Sequence, residues 1–325
     1  MAARFTGAVT AIRPFGPGHI NETFLVESPT GDHILQRVNS TVFPDPAAVT
    51  ANILTVYRHL GALMPEPVAT PDGEWLVRDG SGAWRMWRRV DGAPAETPTQ
   101  AALNAAGSLL GRFHALLANL DPATLTETLP GFHDPGRRLE ALRAVIAADP
   151  CGRVATVPEE IGAALAAEPL VDLAAELSAR VPRRVAHFDA KLDNVLFAGD
   201  AALCLVDFDT LMPGAWFWDV GDLLRSGSTA AAEDEPDVDR VAVVPWRYRA
   251  LLDGYRETLV AAGVSELAEL EATEVAGAIV TYEQAVRFLT DWLAGDVYYR
   301  ISRPAQNRDR ARAQFRLLAS MPVPT

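Results

Sequence analysis

The sequence predicts an α+β protein with two lobes, a small β-rich lobe over residues 1–91 and a larger, mainly helical lobe over residues 92–325. Two observations support this division. Short apolar runs separated by turn residues dominate the first ninety positions, whereas apolar residues recur at helical spacing through most of the remainder. With 325 residues, 49% of them hydrophobic, the chain is long enough for one large or two modest domains.

The predicted strands of the first lobe cover residues 23–27, 33–38, 74–78 and 84–90. Residues 28–32, Ser-Pro-Thr-Gly-Asp, have a turn composition, so the first two strands should form a hairpin. Asp45 and Pro46 then have the residue types of an N-cap and a first helical position, and the helix that they begin should end at Gly61. The polar residues 91–94 close the lobe.

Helical periodicity begins at Thr97, and the first helix of the second lobe should extend to Leu117. His114 lies on the apolar face of this helix and is expected to be a core histidine. Further predicted helices cover residues 135–148, 159–180, 245–262, 266–293 and 308–320. Between residues 183 and 209 the pattern changes to two short strands, residues 194–197 and 202–206, joined by a four-residue turn.

The composition excludes several classes of partner. The chain has 42 acidic and 29 basic residues and a net charge of −13, so neither nucleic acid nor an anionic membrane is expected to bind. No apolar run is long enough to span a bilayer and the N-terminus lacks a secretory signal, which predicts a cytoplasmic protein. The two cysteines, Cys151 and Cys204, are too few for a disulfide framework and are expected to be small buried residues.

The hairpin of the second lobe gathers polar side chains at its open end. If its strands pair tightly, Asn194 lies roughly opposite Asp207, where facing Cα atoms are ~4.5–5.5 Å apart. Asp189 precedes Asn194 by five residues, on the loop that enters the first strand. Phosphoryl transfer uses such a set, with one carboxylate to accept the proton of the attacking hydroxyl and oxygen ligands for Mg²⁺. The alternative is that these carboxylates only cap turns.

The segment from His187 to Asn194 has the pattern H-x-D-x-x-x-x-N, and Asp207 follows thirteen residues later. This motif pair resembles the aminoglycoside phosphotransferase and choline kinase superfamily. The resemblance implies a two-lobed protein-kinase-like fold that uses ATP and Mg²⁺. It also implies that Asp189 is the catalytic base, that Asn194 and Asp207 hold the metal, and that His187 braces the loop by hydrogen bonding. Asp209 is then a further metal ligand or a substrate contact.

Two further segments are interpreted through the same resemblance. Residues 218–222, Trp-Asp-Val-Gly-Asp, are similar to an acidic element of that superfamily, and Asp219 is expected to hold the catalytic-loop backbone rather than to touch substrate. The nucleotide should lie under the β-rich lobe. Its predicted contacts are Gly16, Gly18 and Asn21 at the phosphates, Arg37 on the following strand, and the backbone of Arg88 and Val90 at the adenine.

Arg37 occupies the place where kinase-like folds usually have a lysine, and an arginine can also pair with phosphate oxygens. The alternative is an exposed strand arginine. No glutamate on the following helix is placed to orient it, and Asn52 is a candidate replacement.

Several segments resemble the N-acetylhexosamine 1-kinase branch of the superfamily; they cover residues 16–24, 34–39, 207–214 and 308–312. That resemblance implies a sugar substrate phosphorylated on its anomeric hydroxyl, with Tyr298, Arg300 and Arg308 as candidate sugar contacts beside Asp189 and Asp209. Other acceptors remain open, namely an aminoglycoside, a choline-like amine or homoserine. Cationic acceptors would require the acidic residues 233–239 to line the pocket. The alternative from a different functional class is a nucleotide-binding protein without catalytic activity.

Overall fold

The structure, a computed structural model, describes residues 1–16 and 20–322. The strands are β1 (Ala11–Pro14), β2 (Glu22–Ser28), β3 (Gly31–Val38), β4 (Pro67–Val68), β5 (Val77–Asp79), β6 (Gly82–Arg88), β7 (Arg184–Ala186), β8 (Val195–Ala198), β9 (Ala201–Leu205) and β10 (Met212–Gly214). In the described chain, β1 to β6 form one antiparallel sheet in the order β1-β2-β3-β6-β4, with β5 also paired to β6. The predicted hairpin is β2–β3, and the predicted strand at 74–78 is confined to β5.

The α-helices are α1 (Ala3–Thr6), α2 (Pro46–Leu60), α3 (Gln100–Leu117), α4 (Pro135–Ala148), α5 (Pro158–Ala166), α6 (Pro169–Arg180), α7 (Trp216–Gly227), α8 (Pro245–Ala262), α9 (Leu267–Ala294) and α10 (Gln306–Leu318). Their ends follow local chemistry. The Asp45 side chain accepts hydrogen bonds from the backbone N–H groups of Ala47 and Ala48, both at 3.1 Å, and so caps α2 as predicted. Helices α4 and α8 have the bounds that the sequence predicts.

Two helical predictions are corrected. The single helix expected over 159–180 is two helices, α5 and α6, and the second begins at Pro169, a residue that cannot continue a helix but fits its first turn. Helix α7 was not predicted. It is buried along nearly its whole length, from Trp216 to Arg225, although its polar residues Asp219, Asp222 and Arg225 recur at helical spacing.

The two faces of the N-terminal sheet have different surroundings. Successive side chains of β3 and β6 point to opposite faces. On the outer face, Leu35 and Met86 form a small apolar cluster with Phe5 of α1. On the inner face, Val38 and Trp87 belong to the main hydrophobic core, which they share with residues of the helical lobe. The inner face is therefore the one that looks onto the helical lobe.

Helices α3 and α8 pack against each other at glycines. A Cβ atom at Gly107 would lie 2.0 Å from the Leu251 carbonyl oxygen, and one at Gly254 would lie 2.2 Å from the Asn104 carbonyl oxygen. Only glycine permits this approach of the two backbones. The contact fixes α3, which carries His114 towards α7.

The β8–β9 hairpin contains an irregularity that shifts its register. Phe197 pairs with Ala202, but the next pair along β8 is Leu196 with Cys204, so one residue of β9 is bulged. The Val206 N–H then donates to the Asn194 carbonyl oxygen at 2.9 Å. Asn194 therefore lies opposite Val206, and Asp207 comes one residue later than the predicted pairing.

Two expectations from composition can be compared with the structure. Within the described ranges, no helix is both long enough and apolar enough to cross a membrane. Both cysteines are free thiols; Cys204 is buried as expected, but Cys151 is exposed, which corrects the prediction for that residue.

Candidate active site

The catalytic loop begins directly after β7 and is held from behind by Asp219 of α7. The carboxylate of Asp219 is fully buried and accepts hydrogen bonds from the backbone N–H of His187 at 2.7 Å and of Phe188 at 2.6 Å. It also contacts Nε2 of His114 at 2.9 Å, while His114 Nδ1 contacts the Tyr255 hydroxyl at 2.9 Å. The predictions that Asp219 holds the loop backbone and that His114 is a core histidine are confirmed.

His187 links the loop to the hairpin. Its Nε2 donates to the Val206 carbonyl oxygen at 3.1 Å and its Nδ1 accepts from the Asp189 N–H at 3.3 Å, while its own carbonyl oxygen accepts from the Thr210 hydroxyl at 2.7 Å. Burial lowers the pKa of His187. A neutral ring suits this role, because one ring nitrogen must donate and the other must accept.

Phe188 adopts a left-handed backbone conformation with φ of 65°, and its carbonyl oxygen is 3.1 Å from Nε2 of His133. Nδ1 of His133 lies 2.6 Å from the Glu283 carboxylate of α9. The imidazole is also stacked against the rings of Phe188 and Trp218, with centroids 5.5 and 4.9 Å away. The sequence analysis missed His133 and Glu283, which lie 54 or more residues from the motif and carry no local signal.

Asp189 is ionised by its neighbours. Its carboxylate is 2.9 Å from the ammonium of Lys191 and accepts a hydrogen bond from the Asn194 amide at 2.9 Å. Burial opposes the charge, but the Lys191 ion pair, His187 and Asn194 together hold the pKa of Asp189 below its ordinary value. Lys191 is the single lysine in the sequence, and the Asp189 charge raises its pKa despite burial.

Asp207 begins the segment after the hairpin in a left-handed conformation with φ of 67°. Its side chain is solvent-exposed at the cleft floor. The surrounding protein partly shields the Asp207 carboxylate from bulk water, and the negative charges of Asp209 and Asp189 also disfavour its ionised form. The pKa of Asp207 is therefore raised to about 7, although the positive charge of Lys191 acts to lower it. In the described residues, no three acidic, histidine or cysteine side chains converge into a complete metal site.

Asp209 is engaged in a contact between the lobes. One of its carboxylate oxygens accepts from the Asn21 amide at 2.5 Å and the other forms an ion pair with Arg85 of β6. The Asp209 side chain is only 2% exposed. The roles of Asp209 as a metal ligand or substrate contact and of Asn21 at the phosphates stay predictions. In this structure Asn21 links the lobes, because its side-chain oxygen also accepts a hydrogen bond from the Asn39 N–H at 3.0 Å.

Arg37 lies on the outer face of the sheet, which corrects its predicted role at the phosphates. It pairs with Glu22 on the neighbouring strand and donates to the Ser81 carbonyl oxygen at 3.0 Å. Asn52 does not reach it, since the Asn52 amide donates to the carbonyl oxygens of Leu211 and Thr126. Of the arginines on the central strands β3 and β6, Arg85 is the one on the inner face of the sheet.

The other predicted nucleotide contacts are the two glycines, Gly16 and Gly18, and the backbone of Arg88 and Val90. Gly18 lies outside the described residues, and Gly16 has φ of 74°, a conformation that favours glycine. The Arg88 side chain forms an ion pair with the Glu66 carboxylate at 2.9 Å, and the Arg88 backbone N–H donates to the Glu66 carbonyl oxygen at 2.8 Å. The Val90 carbonyl oxygen accepts from the Gly92 N–H at 3.0 Å. Adenine contacts by Arg88 and Val90 stay a prediction.

A second cation, Arg287 of α9, lies near Asp189. Its guanidinium carbon is 5.3 Å from the ring centroid of Phe132 and 5.6 Å from that of Tyr299. Burial opposes its charge, but Tyr299, Glu283 and Asp189 raise its pKa. Within the described residues it donates to the Gln284 side chain at 3.2 Å and has no carboxylate within 4.0 Å.

The other predicted sugar contacts are Tyr298 and Arg300 in the loop after α9 and Arg308 in α10. The Asp291 carboxylate accepts from three consecutive backbone N–H groups, residues 297–299, at 2.8 to 2.9 Å, and so sets the position of Tyr299. Tyr298 and Arg300 are exposed. Arg308 contacts Asp309 and lies over the ring of Trp292. Trp292 follows Arg287 by five residues on α9, about 140° further around the helix, so Arg308 packs on a different face of α9 from Arg287.

The sequence model of the Phosphotransferase enzyme family matches residues 11–255. The chain belongs to this family. Homoserine kinase from Pseudomonas aeruginosa PAO1 is 27% identical over 252 residues, which cover 77% of this chain and 72% of that protein. This protein is a small-molecule kinase, and its predicted superfamily is confirmed.

Solved structures confirm the predicted fold. The aminoglycoside phosphotransferase from Alicyclobacillus acidocaldarius subsp. acidocaldarius DSM 446 has a TM-score of 0.62 at 17% identity, with 98% of this chain and 93% of that chain covered. Spectinomycin phosphotransferase in complex with ADP and spectinomycin has a TM-score of 0.57 at 13% identity, with 97% and 96% covered. Both have the kinase-like arrangement of a β-rich and a helical lobe.

Proposed function

We propose that this kinase uses ATP and Mg²⁺ to phosphorylate the anomeric hydroxyl of an N-acetylhexosamine or a closely related sugar. The observation that carries the proposal is Arg287, a cation without a carboxylate partner among the described residues, which lies within 6 Å of two aromatic rings and within electrostatic reach of Asp189. A guanidinium can donate to the carbonyl oxygen of an acetamido group. Aromatic faces suit the apolar face of a sugar ring.

Each part of the reaction has a residue suited to it. Asp189, kept ionised by Lys191, is the carboxylate that orients the acceptor hydroxyl and accepts its proton. Asn194 and Asp207 are the residues that would hold Mg²⁺. They fit the ion because Asp207 supplies a carboxylate, and because the Asn194 amide nitrogen is turned towards Asp189, which leaves its oxygen as a ligand. When bound, the metal neutralises charge on the transferred phosphoryl group.

Cationic acceptors fit the same pocket poorly. Arg287 would repel the ammonium groups of an aminoglycoside or a choline-like amine. The acidic loop that would have to receive them already has cationic partners: Glu233 pairs with Arg225 at 2.9 Å, Asp234 with Arg303 at 3.3 Å, and Glu235 with Arg240 at 3.3 Å.

Homoserine is the second candidate acceptor. It is favoured by the 27% identity with homoserine kinase over 77% of this chain. The α-carboxylate of homoserine would also satisfy Arg287, and an arginine–carboxylate contact is commonly bidentate.

The test is ADP release from ATP and Mg²⁺ with a panel of acceptors: N-acetylglucosamine, N-acetylgalactosamine, glucose, homoserine, choline and kanamycin. Phosphorus NMR then identifies the product, since an anomeric phosphate differs from a phosphate on any other hydroxyl. We expect turnover with N-acetylhexosamines and a sugar 1-phosphate product. Turnover with homoserine alone would transfer the proposal to the second candidate, and turnover only with amines would refute both.

Two variants make this experiment specific. Asp189→Asn removes the proposed base and should lower turnover by about 1000-fold or more. Asp193→Asn makes the same chemical change at an exposed position of the same loop and should leave turnover unchanged. Absence of acceptor-dependent turnover in the wild-type protein would instead support a silent nucleotide-binding protein.

A further inference from the structure

In the central strands of the N-terminal sheet, the inner-face arginine lies on β6 rather than on β3. Gln36 and Arg37 are neighbours on β3, so their side chains point to opposite faces. Gln36 shares the inner face with Val38, a member of the main core, whereas Arg37 shares the outer face with Leu35. The strand register pairs Gln36 directly with Arg85. The arginine that faces the helical lobe is therefore Arg85.

Arg85 is held firmly in this position. Its side chain is 4% exposed, and its Nε and Nη2 donate to the Gln36 side-chain oxygen at 3.0 and 2.9 Å. The Trp87 ring lies 5.2 Å from its guanidinium carbon, and the carboxylate of Asp209 pairs with it from the other lobe. Its orientation is thus fixed by contacts on both sides of the cleft.

One nitrogen of this guanidinium has no acceptor. Nη1 of Arg85 is buried and, among the described residues, has no hydrogen-bond partner. A buried charged donor without an acceptor is costly, so the position points to a ligand that supplies one. Arg85 also pairs with Asp209, two residues after Asp207, so its guanidinium lies near the proposed metal-binding end of the cleft.

Another cation near the catalytic loop, Lys191, is already paired. It contacts both carboxylate oxygens of Asp189, at 2.9 and 3.1 Å, and its ammonium belongs to the acceptor side of the reaction. Arg85 is available to a nucleotide lying under the sheet. A guanidinium is permanently charged and can donate to two phosphate oxygens at once, so it suits a polyphosphate better than a point charge does.

We propose that Arg85 binds the phosphates of the nucleotide, and that Gln36 and Asp209 are positioning residues for it. The inference rests on the proposed ATP-dependent function. Asp209 provides the orienting carboxylate that α2 lacks, from the segment that follows Asp207. Because Asp209 also accepts from Asn21, the same carboxylate ties the loop after β1 to the metal-binding segment.

Calorimetric titration with ADP and with adenosine, in EDTA so that no divalent cation contributes, tests the proposal. A contact to phosphate alters ADP affinity alone, whereas a general structural role alters both affinities. We expect Arg85→Gln to weaken ADP binding by about 10- to 100-fold and to leave adenosine binding within about twofold. Arg37→Gln, which removes an outer-face arginine, should change neither. Equal loss of ADP and adenosine binding, or an ADP-specific loss in Arg37→Gln, would overturn the proposal.

Asp209→Asn separates the phosphate contact from the ion pair between the lobes. It breaks the ion pair but keeps the charge of Arg85, so ADP affinity should fall less than in Arg85→Gln. An ADP-specific loss equal to that of Arg85→Gln would show that the ion pair, not a phosphate contact, matters. If Arg85→Gln does not fold, Arg85→Lys serves in its place, with ADP weakened by about threefold to tenfold and adenosine unchanged.

The wild-type titration distinguishes the two levels of inference. If the wild-type protein binds neither ADP nor adenosine, the proposed ATP-dependent function fails and this inference fails with it. If the wild-type protein binds ADP and Arg85→Gln binds it equally well, the inference alone fails and the proposed function stands.

Discussion

Replacing Asp219 with asparagine removes the carboxylate that holds the catalytic loop. In the folded protein this buried group receives two backbone N–H donors, from His187 and Phe188, and lies 2.9 Å from His114 Nε2. Asparagine has one acceptor oxygen and one donor nitrogen, so its nitrogen must face at least one of these donors. At least one hydrogen bond to the loop or to α3 is therefore lost. The hydrogen bonds that remain no longer have a charged acceptor.

The magnitude follows from the burial. A hydrogen bond to a charged group contributes about 1.5–3 kcal/mol, and a buried donor left without an acceptor costs about 1–3 kcal/mol. We expect the free energy of unfolding to fall by roughly 3–5 kcal/mol. The loop also carries Asp189, and a displacement of about 1 Å at a reacting group can reduce turnover about 100-fold.

Urea denaturation followed by tryptophan fluorescence measures the first effect, and steady-state kinetics with ATP and the acceptor measures the second. Asp193→Asn is the matched control, because it makes the same substitution at an exposed position of the same loop. The reasoning is refuted if Asp219→Asn unfolds within about 1 kcal/mol of the wild-type protein, or if its stability falls while its turnover number is unchanged.

Three further predictions concern the acceptor site, the packing of the loop and acid stability. Arg287→Met should raise the KM for the acceptor about 10-fold or more and leave the KM for ATP within about twofold, measured by steady-state kinetics; equal changes in both would contradict an acceptor role. A Cβ at Gly214 would lie 2.0 Å from the Phe188 ring, so Gly214→Ala should destabilise the protein by about 1–3 kcal/mol in urea denaturation. Gly162→Ala, where nothing lies within 4 Å of the new Cβ, should be neutral or stabilising. Burial lowers the pKa of three histidines, His33, His114 and His187. Below pH 6.5 the unfolded chain therefore binds protons that the folded protein excludes, and stability falls as pH falls. Because the pKa of Asp207 is raised, the folded protein binds one proton there that the unfolded chain does not, and this offsets one of the three histidines. The free energy of unfolding should therefore fall by about 1–3 kcal/mol per pH unit between pH 6 and 5. Stability that is constant or rises over that range would contradict the assignment.

The contacts of Asp209 couple the two lobes to the site. This carboxylate binds Arg85 and Asn21 from the β-rich lobe, while it lies two residues after Asp207 in the helical lobe. A change in the position of one lobe is therefore transmitted to the segment that is proposed to hold the metal. The chemistry of the cleft and the arrangement of the lobes depend on the same few side chains.

Some properties of this protein were determined by the sequence alone because they depend on neighbouring residues. The N-cap at Asp45 and the bounds of α4 and α8 follow from local capping and periodicity. The loop from His187 to Asn194 is a contiguous motif, and its resemblance to a known superfamily implied that His187 braces the loop by hydrogen bonding.

The tertiary structure decided what depends on residues far apart in the chain. The alternation of β3 leaves open which of its faces looks onto the cleft, so only the packing of the sheet shows that Arg37 faces outwards and that Arg85 faces the helical lobe. The one-residue shift of the β8–β9 hairpin comes from a bulge that has no turn signal. Helix α7 has Asp219, Asp222 and Arg225 at helical spacing, and only packing against distant residues shows that this polar face is buried. Local chemistry therefore specified the catalytic loop, whereas long-range pairing decided which cation and which carboxylate surround it.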